Sequence, residues 1–426
     1  MIPARTSAAI ATLRAGLWTF EKLGGVAKNR SHEVWSPDDI RDREPTIAAE
    51  GLAGAVVYPE YLTDDARLTL ANVRSAADHG AVVVNYAAVR ALLVADGRCF
   101  GVEVAETLPG GAERAARLTG RVIVNAAGPW VDEVRALECA GTPARLALAR
   151  GVHLVVRRER LPISRTVIMN AADGRGVFAV PRGEVTYLGT TDTFDPRAEP
   201  WPSITGQDID YLLAAAARRF ASSPLTRRDI VSAWSGQRPL VAEAGKSASD
   251  ISRRDELWCG PAGVLSIAGG KLTAYRRMAE RVVDAVQEAL GQKRRACRTA
   301  AEPLPGGDAD PAAVVADLRR SGLDAAAADR LAGLYGTEAA AVMAAGGDVA
   351  AEASRAVLFE GALRLEDYWA RRSARAWFDP DSLATLAPAA RAMAAPLGWS
   401  TAQEAAQIAA CKAIHNQDMA AMREEA

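Results

Sequence analysis

Across 426 residues, 51 Lys and Arg stand against 52 Asp and Glu, and a formal net charge of -1 removes the electrostatic basis for nucleic acid as a partner. Hydrophobic residues at 49% and charged residues at 24% describe a globular chain of two or three domains, and no apolar run reaches the length that crosses a bilayer. Cys99, Cys139, Cys259, Cys297 and Cys411 have no C-x-x-C spacing and no histidine pair nearby, which excludes a zinc site and predicts free thiols in a reducing compartment.

Residues 1–14 lack a signal-peptide pattern, so a cytoplasmic location is expected. Residues 63–79 place Ala66, Leu70, Val73 and Ala77 on one face behind an Asp-rich start, with Gly80 as a stop, and predict a helix. AVVVN (81–85), CFGVEVAE (99–106) and RVIVNAAG (121–128) have the β-branched density of strands in a mixed α/β layer. Between 150 and 192, VHLVV, TVIM, VFAV and TYLG alternate with turn residues and predict an antiparallel sheet. A helix over about 206–220 and the strand-like DIVSAWSG follow. Leu272, Tyr275, Ala279, Val282, Val286 and Leu290 then recur at helical spacing, predicting a long helix that opens straight after Gly269-Gly270 and stops at Gly291. The Pro/Gly-rich EPLPGGD (302–308) reads as a linker into an Ala-rich helical remainder.

A dinucleotide site needs a strand, a glycine turn and a helix whose N-terminal N–H groups meet the pyrophosphate. Gly174-Arg175-Gly176-Val177-Phe178-Ala179 matches G-x-G-x-x-A, yet the following VFAVPRGEV is strand-like with Pro181 where a helix should run. It is expected to be a plain turn. VIVNAAGPWVDEV is a better candidate: small residues Ala126, Ala127 and Gly128 end a strand, and Pro129 suits a first helical position.

Taken together, YPEYLTDDARLTLANVRSAADHGA (58–81), NAAGPWVDE (125–133), RGVHLVV (150–156), YLGTTD (187–192), WSGQRPL (234–240), ISRRDE (251–256) and GGKLTAYRRMAE (269–280) resemble the flavin-dependent, quinone-reducing glycerol-3-phosphate dehydrogenases in order and spacing. The resemblance spans essentially the whole chain. It implies an α/β and α+β fold, with an incomplete FAD-binding Rossmann-like domain, an antiparallel-sheet substrate domain and a helical C-terminal domain. The oxidoreductase domain is expected over 1–296, with the FAD-binding layer at about 60–150 and 255–296 and the substrate sheet at about 150–255; the helical domain is expected over 297–426. The family's first strand with G-x-G-x-x-G, and a following segment with an active-site Arg-Tyr pair, precede the region where this sequence begins.

The resemblance implies FAD as cofactor, glycerol 3-phosphate as substrate, quinone as electron acceptor and peripheral contact with the inner face of the cell membrane; a homodimer stays open. It makes His153 the catalytic base, suited by an imidazole that titrates near neutral pH. Arg238 and Arg253, with Arg254 as the alternative register, match the family's substrate arginines, whose guanidinium forks suit a phosphate dianion. Lys271 is expected to stabilise charge on the reduced flavin, and Ala127, Gly128, Pro129, Trp130, Gly269, Gly270, Leu272 and Thr273 to contact the cofactor. Without the resemblance, His153 reads as a core or edge residue, Arg238 as an ion-pair partner and Arg253-Arg254 as a solvated pair. His32, His79 and His415 receive no catalytic role. Two other functions stay open: a flavoprotein oxidase for an amine or hydroxy acid, and a flavin-free remnant or a subunit that needs a separate nucleotide-binding chain.

Overall fold

The computed structural model describes residues 1–423 apart from 221–223, 244, 246–250 and 252–253. Strands β1 (Ile2–Ala4), β2 (Glu33–Trp35) and β3 (Gly54–Val57) form a small antiparallel sheet with β3 in the middle. A second sheet is the antiparallel run of β4 (Ala87–Ala95), β5 (Arg98–Glu106) and β6 (Ala115–Thr119). The predicted strand 121–128 shrinks to β7 (Val124–Asn125), whose partner comes from far along the chain.

The predicted antiparallel sheet is present as β8 (Leu146–Arg157), β9 (Val167–Asn170), β10 (Gly176–Arg182), β11 (Val185–Gly189), β12 (Thr193–Asp195) and β13 (Ile230–Val241). β8 is its centre, paired with β13 along one edge and with β11 and then β12 along the other. Alternation along β8 sends Val152, Leu154 and Val156 into the main core. There they meet the helix Gly206–Arg219, which buries Ile209, Leu212, Ala215 and Ala216 at helical spacing and starts at a reciprocal Thr205–Asp208 cap. Each buried Val, Leu or Ile of this layer contributes about 1.5–3 kcal/mol, so the layer fixes the sheet against the helix. The opposite face of β8 carries Gly151 and His153.

The hairpin of β14 (Asp255–Cys259) and β15 (Leu265–Gly269) completes the strands, and β15 is the parallel partner of β7. Here the expectation for 81–85 fails: these residues form no strand, and Val82, Val83 and Val84 are 91%, 49% and 66% exposed. β-Branched residues favour a strand only where a neighbouring ladder and a covering layer exist, and none of the described strands pairs with them. The long helix predicted from Gly270 differs too. A short 3-10 turn, Leu272–Ala274, intervenes, the α-helix runs Tyr275–Ala289, and none of its side chains is buried.

The helix predicted over 63–79 spans Asp65–Asp78, capped by the Asp64 carboxylate, which accepts from the Arg67 N–H at 3.2 Å. It clamps the C-terminal helices, among them Ala325–Tyr335 and Val349–Glu360. Arg67 donates a two-pronged pair to Glu360 (2.9 and 3.0 Å) and a third bond to the Leu334 carbonyl (2.9 Å), while Arg74 grips Glu338 at 2.6 Å twice. The Glu360 side chain is fully buried, so removing Arg67 leaves its carboxylate without its two close hydrogen bonds and, among the described residues, with only Arg355, at 3.8 Å, as counter-charge. Arg67→Met is therefore expected to lower unfolding free energy by about 3 kcal/mol, read from urea denaturation. A wild-type midpoint would contradict this.

Candidate active site

His153 lies on β8 directly across from Trp234 on β13 and from Gly189 on β11. Its ring stacks on the Trp234 indole, with centroids 4.5 Å apart and planes 8° off parallel, and meets the Tyr187 ring edge-on at 6.1 Å. The imidazole occupies the space where a side chain on Gly189 would begin. Gly189 is thus required by His153.

A second bed lies two residues along the same face. Arg238 pairs with Ala149, and its guanidinium reaches back over Gly151, its nitrogens 2.6 and 2.8 Å from where a Cβ would sit. The fork donates to Thr190 Oγ1 (3.2 Å), to the Thr191 carbonyl (3.5 Å) and to the Asp192 carboxylate (3.3 Å). Sheet register therefore places an imidazole and a guanidinium side by side.

His153, Tyr187, Gly189 and Thr190 line a cavity of about 750 Å³, to which Tyr58, Tyr61 and other residues of 57–62 also contribute; Arg238 is not among its lining residues. Clefts of this size hold small ligands and cofactor rings. Burial, and then the Arg238 charge, hold the His153 imidazole well below its ordinary value of 6.5, at about 3. It is neutral at physiological pH. The expectation of a ring titrating near neutrality is corrected in this respect: the folded protein has a neutral proton acceptor, and the sequence carries no sign of the burial that causes it.

The remaining expected residues fall in a neighbouring layer. Ala127 is tied to Asn125 (3.3 Å), and Gly128–Trp130 forms a short turn packed on β13. Lys271 is exposed and precedes the turn Leu272–Ala274, in which Leu272 is 45% exposed; Thr273 is exposed as well. Gly269 and Gly270 have φ of +78° and +89°, and their missing side chains make room for the Arg254 carbonyl and the Met278 thioether, so the chain's own packing requires both glycines. None of these residues lines the cavity. They reach the site through β13, which carries Arg238 and packs against both the 128–130 turn and β15. Arg253 lies outside the described residues. Arg254 is exposed and pairs with Glu256 at 2.7 Å.

Two features leave room for the ring end of a flavin. The His153 Nδ1 is buried without a hydrogen-bond partner, and a side chain added at Gly128 (φ +58°) would meet nothing within 4 Å. The pyrophosphate end has no counterpart among the described residues. The G-x-G-x-x-A match at 174–179 runs out of the tight turn between β9 and β10, closed by the Gly174 N–H on the Ala171 carbonyl at 3.1 Å, into the strand β10 itself, and no helix follows it. Sequence reasoning overlooked Trp234, Tyr187, Thr190 and Gly189, although YLGTTD and WSGQRPL contained them; only strand register shows that they meet His153.

The comparisons give the class to which this fold belongs, the FAD-dependent oxidoreductases. Residues 5–276 match the FAD dependent oxidoreductase family, and residues 297–404 match the C-terminal domain of alpha-glycerophosphate oxidase. The chain belongs to the FAD-dependent oxidoreductase family. It is 39% identical to the aerobic glycerol-3-phosphate dehydrogenase of Bacillus subtilis over 300 residues, covering 70% of this chain and 54% of that protein. Its identity to the protein of the same name from Staphylococcus haemolyticus is 37% over 340 residues, covering 76% and 60%. The chain thus spans about 54–60% of the length of these curated relatives. The X-ray structure of glycerol-3-phosphate dehydrogenase from Bacillus halodurans, complexed with FAD, is similar with a TM-score of 0.80 at 32% identity, covering 92% of this chain and 81% of that one.

Two consequences are measurable. Gly189→Ala is expected to displace the imidazole and lower the urea midpoint; an unaltered midpoint would contradict the bed. Because the folded value lies below the ordinary 6.5, the unfolded chain binds the extra proton. The contribution of His153 to stability is thus complete above about 6.5 and is lost as pH falls toward about 3. His153→Gln should flatten the fall of stability in that window, read from denaturation midpoints at several pH values.

Proposed function

We propose that this chain binds sn-glycerol 3-phosphate and, with FAD, oxidises it to dihydroxyacetone phosphate, the electrons passing on to a quinone. The observation that carries the reading is the shared face of β8 and β13, where a neutral imidazole and a guanidinium fork stand together over two glycine beds. The names of the relatives above support the same substrate.

Oxidation of a secondary alcohol removes a hydride from carbon and a proton from oxygen. FAD, when bound, supplies the hydride acceptor. His153 takes the hydroxyl proton, because its ring is neutral and lines the cavity. Arg238 holds the phosphate through its fork, and Arg253 or Arg254 provides a second contact. A phosphate dianion beside Arg238 would offset the lesser of the two causes that lower His153, burial being the greater. Lys271 stabilises negative charge on the reduced cofactor, and Ala127, Gly128, Pro129, Trp130, Gly269, Gly270, Leu272 and Thr273 hold its ring end. A quinone acceptor entails peripheral contact with the membrane's inner face.

A second reading concerns how the cofactor is completed. Exposed Val82, Val83 and Val84, and the helix Tyr275–Ala289 with no buried side chain, favour a nucleotide-binding βαβ unit packing against this layer. An amine or hydroxy acid substrate is disfavoured by the pair of arginines taken together with the helical C-terminal region matched over 297–404.

The test is turnover of flavin-loaded protein with glycerol 3-phosphate and a soluble quinone, beside amino acids and hydroxy acids. Glycerol 3-phosphate is expected to be preferred. His153→Gln should lower kcat by about 10²- to 10⁴-fold. Arg238→Met should lower kcat/KM by about 10- to 150-fold, the worth of one charge-assisted hydrogen bond. Faster turnover of an amino acid would overturn the assignment.

A further inference from the structure

The His153 ring has no hydrogen bond at Nδ1 to fix its orientation, so contact geometry must do so. On one side lies the Gly189 backbone, and on the other the Trp234 indole in parallel stack. The indole is itself braced. Phe378 meets it edge-on at 5.4 Å and 77°, and Trp377 lies at 6.1 Å, both from the short helix Arg375–Phe378 of the C-terminal region. Ser232 Oγ on β13 donates to the Trp377 carbonyl at 2.8 Å, tying that helix to the strand that carries Trp234. Behind Phe378, the Arg182 guanidinium covers the ring at 3.8 Å, and Asp64 pairs with Arg182 at 2.6 Å. Trp377 continues into Trp369, which is buried in the helical core.

We propose that Trp234, braced by Trp377 and Phe378 from the C-terminal helical region, is a positioning residue that holds the His153 imidazole against Gly189. The helical region thereby serves the chemistry through an aromatic wall, without touching substrate. This rests on His153 acting as the base. Stacked aromatic pairs hold rings in a preferred orientation, and a base shifted by about 1 Å loses up to about 10²-fold in rate.

The chain has four histidines, so histidine-labelled protein gives a small set of ring signals in NMR, with that of His153 identified by its loss in His153→Gln. The His153 signal is expected upfield of the others because of the indole, with a nuclear Overhauser contact from its Cδ2 proton to Gly189. Trp234→Leu should abolish that contact and lower kcat by up to about 10²-fold with KM unchanged, and Trp234→Phe should restore both. Phe378→Leu retains Trp234 but removes its brace, and it should shrink the upfield displacement as the stack loosens; it also serves if Trp234→Leu fails to fold. A Gly189 contact retained in Trp234→Leu, or an undiminished displacement in Phe378→Leu, overturns the proposal. So does unchanged kcat in Trp234→Leu. Full activity in His153→Gln would instead sink the assignment of the base, leaving the stack intact, so the two failures are told apart.

Discussion

The pairing of β8 with β13 is the constraint on which the rest depends. Its register sets His153 against Trp234 and Ala149 against Arg238, and so brings together residues roughly 80 positions apart in the chain. A slip of one residue would turn Trp234 and Arg238 to the other side of the sheet, into the core built on Gly206–Arg219. The hydrophobic alternation of β8 guards against this, because Val152, Leu154 and Val156 can be buried only when His153 faces the cavity. Packing on one side of the sheet thus sets the chemistry on the other.

Electrostatics follow from that placement. Arg238 has Asp192 and Thr190 to hold its fork in position, while burial first, and the Arg238 charge second, keep His153 unprotonated. On the proposed reading, a bound dianion would offset the smaller of the two causes that lower His153, the Arg238 charge, while burial remains.

Parts of this arrangement were legible in the residues. The helix Asp65–Asp78 was readable because its signals are local: an Asp cap, an apolar stripe and a terminal glycine. The strands β8 to β11 were readable from alternation between turn residues. The valines at 82–84 misled because strand propensity counts only beside a ladder, and the strands described provide none there. His153, Arg238 and Lys271 were singled out from family resemblance; their spacing alone carried little. The Trp234 stack and the lowered His153 basicity were invisible, since both arise from contacts across strands. Gly269 and Gly270 were expected to admit a ring system, yet the Arg254 carbonyl and Met278 already account for them.

The most direct measurement is a crystal structure of the flavin-loaded protein with glycerol 3-phosphate bound. The account expects phosphate oxygens within about 3.2 Å of the Arg238 fork and the C2 hydroxyl within about 3.2 Å of a His153 ring nitrogen. Substrate bound with its phosphate away from Arg238, or with its hydroxyl out of reach of His153, would contradict it.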